Sequence, residues 1–166
     1  MANILLPCWL SMSDVFNLNR FVDAQDRSYQ GALDEILKGE KRDHWIWFVF
    51  PQGPFGKTET ANQYSLKSVS EAIAYIQHPI LHNRLLEITM AVLKQLKSGI
   101  HPKILMGSST DCLKLASSMT LFNYVAENQN DRELGDATSK TLDLLAACGW
   151  EKCPKTTIWI DEQSNS

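Results

Sequence analysis

A regular spacing of apolar residues between Leu18 and Lys38 constrains the fold of this chain more than any other feature. The apolar positions recur mostly at intervals of three and four residues, and they are Leu18, Phe21, Val22, Tyr29, Leu33, Ile36 and Leu37. Because an α-helix turns once every ~3.6 residues, this spacing places them along one face. Gly39 follows directly, and glycine readily adopts the left-handed conformation that ends a helix. The pattern therefore predicts an amphipathic helix.

Helix start and stop signals continue along the chain. Ser68 and Glu71 match a capping box, which predicts a helix to about Gln77. Pro79 suits the first turn of a helix, and the apolar stripe that follows it predicts a helix to about Lys97.

The C-terminal third begins with capping residues. The segment from Ser108 to Asp111 offers caps for a helix to about Glu127, and Asp131 predicts the start of a last long helix that ends near Cys148. The β-branched run 156–160 instead predicts an extended segment.

The aromatic run HWIWFVF, residues 44–50, is nearly all apolar. At this length periodicity does not distinguish a buried strand from a short buried helix. Asp43 as an N-cap and Pro51 as a terminator favour the helix. Burial in the core is the first expectation for these rings, and the side chain of His44 is expected either to be satisfied in the core or to face a cavity.

Composition bounds the classes of function. The 166 residues fit one domain, which we divide into an arm (1–16), a helical domain (17–149) and a tail (150–166). A net charge of −3 without a basic run argues against broad binding of nucleic acid or membrane surfaces.

The apolar N-terminal stretch lacks a basic flank and is broken by Pro7, so we expect no leader and a cytoplasmic location. Four cysteines without metal-site spacing are expected to be reduced thiols; they are Cys8, Cys112, Cys148 and Cys153.

Two polar side chains fall within apolar helix stripes. Gln25 lies four residues from both Phe21 and Tyr29, so its amide is expected inside and must find partners. Arg84 lies between Leu81 and Ile88 on the same kind of stripe, where a guanidinium requires a carboxylate or a bound anion.

Asp111, Lys114 and Ser118 form the densest polar group, because intervals of three and four residues place them on one helix face. One interpretation is structural: Asp111 caps the helix, Lys114 pairs with it, and Ser118 bonds a carbonyl. The functional interpretation is that the lysine activates a nucleophile beside it.

Two motif-like segments have weaker support. Residues 53–58, GPFGKT, end like a phosphate-binding loop, but the first glycine of that motif is replaced by Pro51. His78 and His82 are four residues apart, yet no glutamate follows the first and no third ligand is near in sequence, so no metal site is expected.

Local motifs distributed over about residues 17–145 make the chain similar to a known family. They are Arg20-Phe21, Ala24-Gln25, Lys41-Arg42, His44-Trp45, Trp47-Phe48, Phe50-Pro51-Gln52, Glu71-Ala72, Tyr75, His78-Pro79, Leu81, Arg84-Leu85, Gly107, Asp111, Lys114-Leu115 and residues 118–122. The chain resembles the family called domain of unknown function 1810. The resemblance implies an all-α fold, a single multihelical domain of about six helices, but no activity. The family's Gly-Leu-Gly segment after Phe-Pro-Gln is replaced here by residues 53–56.

We expect these polar side chains to converge on one pocket for a small anionic or nucleotide-like molecule; they are Gln25, His44, Gln52, Arg84, Asp111, Lys114, Ser118 and Thr120. Trp47 joins them as a stacking surface if its face opens to the pocket. If the protein is an enzyme, which the sequence leaves open, His44 or Asp111 is the candidate general acid or base and Lys114 the activating cation. A hydrolase or transferase without metal or cofactor would fit. The alternative is a non-catalytic protein-interaction module, its partner unknown, with a structural polar network.

Overall fold

All regular secondary structure in residues 15–166, the part of the chain described by the computed structural model, is helical. The helices are α1 (Asn19–Lys38), α2 (Ile46–Val49), α3 (Glu59–Gln63), α4 (Val69–Gln77), α5 (Pro79–Lys97), α6 (Pro102–Met106), α7 (Ser109–Asn128), α8 (Arg132–Ala147) and α9 (Pro154–Ser164). The all-α prediction is confirmed. This range contains nine helices rather than about six, and three of the nine have only four or five residues. Of the predicted arm, only residues 15 and 16 are described, and Cys8 lies outside the described residues.

The long helices begin and end where local signals predict. Gly39 has φ of 87°, and its N–H donates to the carbonyl of Ile36 at 2.9 Å, which ends α1. The hydroxyl of Ser68 accepts the Glu71 N–H at 3.0 Å at the start of α4. The Glu71 carboxylate accepts the Lys67 N–H instead of completing the predicted capping box.

The helices α7 and α8 also have local caps. The Ser108 hydroxyl accepts the Asp111 N–H at 3.0 Å, and the Asp131 carboxylate accepts the Leu134 N–H at 3.1 Å. Ser108 rather than Asp111 is therefore the N-cap of α7.

Three local predictions are wrong. Trp45 rather than Asp43 precedes α2, which has only four residues. The proline and glycine content of residues 51–60 predicts a loop, but α3 already begins at Glu59, and the Thr58 hydroxyl accepts the Ala61 N–H.

The third correction concerns residues 156–160, which are helical within α9 rather than extended. Pro154 occupies the first turn, where its missing N–H costs nothing. Thr156 and Ile160, four residues apart, are buried on one face, and the Thr156 hydroxyl lies 2.8 Å from that of Ser117 on α7. Packing of this face therefore outweighs the strand preference of β-branched residues.

Helix α7 is the central element of the fold. It packs against α8, α9, α6 and α4, while α5 packs against both α1 and α8. Residues from Leu115 to Asn123 are buried without a break, because neighbours cover several faces of this helix. Its first turns, with Lys114, and its last residues, Glu127 and Asn128, reach the surface. Within residues 15–166, no helix combines the length and apolarity needed to cross a membrane.

Candidate functional site

A cleft of about 540 Å³ lies between the start of α7 and the segment that leads into α9. Its walls contain Lys114, Lys152 and Lys155, together with the ring of Trp150. Glu151 is the one carboxylate side chain among the residues that line it. Three ammonium groups against one carboxylate give the cleft a positive field.

A smaller compartment of about 180 Å³ adjoins the cleft. Both cavities are lined by Gln52, Phe55 and Lys114, so these side chains stand at the boundary between them. The compartment is otherwise walled by the rings of Trp47 and Tyr64 and by residues of the 53–65 segment.

The loop from Gly53 to Gly56 is shaped by close packing. The Phe55 ring meets the Trp159 ring of α9 edge to face, with centroids 5.8 Å apart. A Cβ at Gly53 would lie 2.8 Å from the Phe55 ring, and one at Gly56 would overlap the Cβ of Ala61. Gly56 therefore has no room for a side chain, and a Cβ at Gly53 would displace the Phe55 ring. Neither glycine serves a phosphate-binding loop, since no strand precedes the loop in residues 15–166.

Lys114 is held in place by two neighbours. Its ammonium lies 3.2 Å from an Asp111 carboxylate oxygen and 4.5 Å from the centre of the Trp47 ring. The other Asp111 oxygen lies 2.7 Å from the ammonium of Lys41, a buried residue that also donates to the Asp43 carbonyl at 2.7 Å. One carboxylate thus serves two cations, which leaves a net positive charge at the cleft.

The expected trio on α7 is only partly formed. Asp111 and Lys114 do pair, but both Asp111 oxygens face lysines, and Ser118 is fully buried without a hydrogen bond from its hydroxyl to any residue of 15–166. Lys41 was not predicted as a partner, because it lies 70 positions before Asp111 and no local spacing signals the contact.

The segment before α2 is fixed by Glu35. Its carboxylate accepts the N–H groups of Arg42 at 2.9 Å and Asp43 at 3.2 Å, and the indole N–H of Trp45 at 2.7 Å. Burial raises the pKa of this carboxyl, but the donated hydrogen bonds outweigh burial and hold the pKa below its usual range. The ionised form is therefore favoured by folding.

We expect Glu35→Gln to lower the free energy of unfolding at pH 7 and to have a smaller effect in acid. A carboxyl with a lowered folded-state pKa contributes stability above its unfolded pKa and loses it as the pH falls through the folded pKa. Urea unfolding at pH 7 and pH 3 measures this. Glu40→Gln, at an exposed carboxylate of the same segment, is the matched control. A stability difference of equal size at both pH values would contradict the assignment.

Gln25 and Arg84 lie in the body of the fold, apart from the cleft. The Gln25 amide donates to the Phe48 carbonyl at 2.7 Å and to the Tyr75 hydroxyl at 2.9 Å. Arg84 pairs with Asp26 at 2.7 Å, which supplies the carboxylate that its position predicted.

Tyr29, which lies close to Arg84, has a raised pKa. The hydroxyl of Tyr29 donates to the Glu87 carboxylate at 2.6 Å. Burial and this hydrogen bond raise the pKa of Tyr29, so the phenol stays protonated.

The remaining predicted residues are also dispersed. His44 is exposed and lines a separate cavity of about 290 Å³ with Arg27 and Asp43. The Thr120 hydroxyl donates to the Ala116 carbonyl at 2.7 Å and accepts the Cys153 N–H at 3.0 Å, which fixes the approach to α9. The expected convergence on one pocket is therefore wrong for these two residues, as it is for Gln25 and Arg84.

Trp47, Gln52 and Lys114 are the predicted residues that the fold does bring together. The sequence interpretation missed Phe55, Trp150, Lys152 and Lys155, although all four line the cleft. Three of them lie in the segment 150–166, which the sequence predicts to be a tail. These residues line the cleft because α9 packs against α7, a contact that no local sequence pattern indicates.

Among the described histidines and cysteines, Cys153 lines the cleft. His82 lies 2.6 Å from Asp131, and no group of three His, Cys, Asp or Glu side chains within residues 15–166 could hold a metal ion. The three cysteines of this range are free. Burial, reinforced by Asp111, raises the pKa of Cys112 to about 11.

One family model matches most of the chain. A family model described as "Protein of unknown function (DUF1810)" matches residues 15–141. The crystal structure of the conserved hypothetical protein Rv1873 from Mycobacterium tuberculosis is similar to this chain with a TM-score of 0.74 and 37% identity, and the match covers 88% of this chain and 97% of that one. A search of the curated proteins finds no match. The chain therefore belongs to the DUF1810 family.

Proposed function

We propose that the protein binds a small anionic molecule in the cleft beside Lys114. The carrying observation is that Lys114, Lys152 and Lys155 line one cavity with a single opposing carboxylate, in a chain whose net charge is −3. A concave site lined by one sign of charge concentrates ligands of the opposite sign.

The geometry of Lys114 supports this proposal. Its side chain is 24% exposed and is held between Asp111 and the Trp47 ring, so less side-chain freedom remains to be lost on binding. Asp111 neutralises only part of the local charge, because it also pairs with Lys41.

The start of α9 adds to the positive field. Cys153 provides no side-chain cap for the first turn, and Pro154 and Lys155 line the cleft. The N–H groups in the first turn of a helix carry partial positive charge and favour nearby anions.

The proposal is for binding and assigns no reaction. His44 lines a separate cavity, and the Asp111 oxygens contact lysines, so neither candidate acid or base lines the cleft. Part of the alternative, the structural polar network, has support elsewhere in the molecule. There, Gln25 and Arg84 bond to residues distant in the sequence, and Thr120 bonds to Ala116 and Cys153. These internal contacts indicate no protein partner.

Titration with pyrophosphate, ribose 5-phosphate and citrate tests the proposal. At 100 times its dissociation constant, a bound anion should add about 2.7 kcal/mol of stability, or roughly 5 to 11 °C in melting temperature. Lys114→Met should weaken the binding measured by calorimetry about 10- to 100-fold, because a charge-assisted hydrogen bond is lost.

Lys97→Met, an exposed lysine near the end of α5, is the matched control for the loss of one positive charge. Its affinity should equal that of the unaltered protein. Equal weakening by Lys97→Met and Lys114→Met would assign the effect to net charge and remove the cleft from the proposal. No binding of any of the three anions would reject it.

A further inference from the structure

We infer that the ligand is a nucleoside phosphate, whose base enters the small compartment and whose phosphate lies among the lysines of the cleft. This inference rests on the proposed function and adds the chemical class of the ligand. It is carried by three features of the compartment, which are its volume, its aromatic walls and the amide of Gln52.

The volume fits one ring system. The compartment measures about 180 Å³, and an apolar cavity of about 150 Å³ accepts benzene. A single or fused flat ring therefore matches this space, whereas a complete nucleotide requires the adjoining cleft of about 540 Å³ as well.

The walls suit a flat ring. Trp47, Phe55 and Tyr64 line the compartment, and the Trp159 ring contacts Phe55 edge to face. Aromatic side chains stack on every base through its π-face, so such walls favour a base over an aliphatic group. A simple inorganic anion or a sugar phosphate has no flat ring to stack on these walls.

The side-chain amide of Gln52 is available to hydrogen-bond a ligand. Its backbone carbonyl accepts the Leu66 N–H at 2.8 Å, but its side-chain amide makes no hydrogen bond to any residue of 15–166. The half-buried amide lines both cavities and carries a donor and an acceptor side by side. That pair matches the edge of a nucleobase, as in the bidentate contact of glutamine with adenine.

The boundary between the two cavities determines where the base and the phosphate of the ligand lie. Gln52 and Phe55 lie at this boundary with Lys114, whose ammonium lies over the Trp47 ring. A ring beside Trp47 thus brings its attached phosphate towards Lys114, and Lys152 and Lys155 stand farther along the cleft.

Calorimetric titration of the full chain with ribose 5-phosphate and with AMP, GMP, CMP and UMP tests the inference. We expect at least one nucleotide to bind about 10-fold or more tightly than ribose 5-phosphate. Gln52→Leu removes the amide but keeps the aromatic walls, so it should reduce that gain and weaken nucleotide binding more than ribose 5-phosphate binding. Lys97→Met should change neither affinity.

The outcomes separate the two proposals. Binding of ribose 5-phosphate without a gain for any of the four nucleotides would overturn the base assignment and leave the anion site standing. Equal weakening of sugar phosphate and nucleotide by Gln52→Leu would also overturn it, because the amide would then be shaping the cleft rather than contacting a base. Failure of pyrophosphate, ribose 5-phosphate and all nucleotides to bind would reject the proposed function itself.

Discussion

Replacing Asp111 by asparagine should lower the free energy of unfolding by about 3 to 5 kcal/mol, the usual cost of removing one partner from a buried ion pair. The Lys41 side chain is 5% exposed, and its ammonium lies 2.7 Å from the Asp111 carboxylate. Its remaining acceptor, the Asp43 carbonyl, carries no full charge. The loss therefore comes from a buried ammonium that no longer has a counter-ion. Urea unfolding at neutral pH measures the change.

Two further variants isolate the buried pair as the cause. Lys114→Met removes the outer, partly exposed partner of Asp111 and should cost only about 0 to 1 kcal/mol. The double variant Lys41→Met with Asp111→Asn leaves no buried ammonium without a counter-ion, since Lys114 is partly exposed, and should be more stable than Asp111→Asn alone. If the double variant is instead less stable than Asp111→Asn, the unpaired charge of Lys41 is not the source of the loss.

The sequence predicts the long helices well because their signals are local. A glycine that ends α1 with positive φ, and side-chain caps at Ser68 and Asp131, act within a few residues of the backbone groups that they satisfy. The extended interpretation of 156–160 fails because the conformation there depends on burial against Ser117, which lies 39 positions earlier than Thr156.

The candidate site is less accessible to sequence reasoning. Helical spacing correctly indicates that Gln25 and Arg84 lie towards the interior, but it does not show what faces them, and their partners are other parts of the chain. Lys114 is recognised because it stands near Asp111 on the same helix. Lys152 and Lys155 reach the cleft only through the packing of α9 on α7, which no local pattern encodes.

Arg20 joins the start of α1 to the segment that walls the small compartment. Its guanidinium donates to the carbonyls of Gln63 at 2.8 Å and Ser65 at 3.0 Å, and it pairs with the Glu71 carboxylate. Glu71 is 2% exposed and also accepts the Lys67 N–H at 2.7 Å. Because Ser65 lines the compartment, the same guanidinium fixes part of the proposed ligand site.

We expect Arg20→Met to lower the free energy of unfolding by about 3 to 5 kcal/mol, since it leaves the buried carboxylate of Glu71 without its cation. Arg20→Lys should cost less, because it keeps the charge, but it should not restore full stability, because an ammonium cannot reproduce the forked contacts to Gln63, Ser65 and Glu71. Urea unfolding of the three proteins gives the order of stability. Equal stability of the methionine and lysine variants would show that the forked hydrogen bonds, and not the buried charge of Glu71, dominate at this junction.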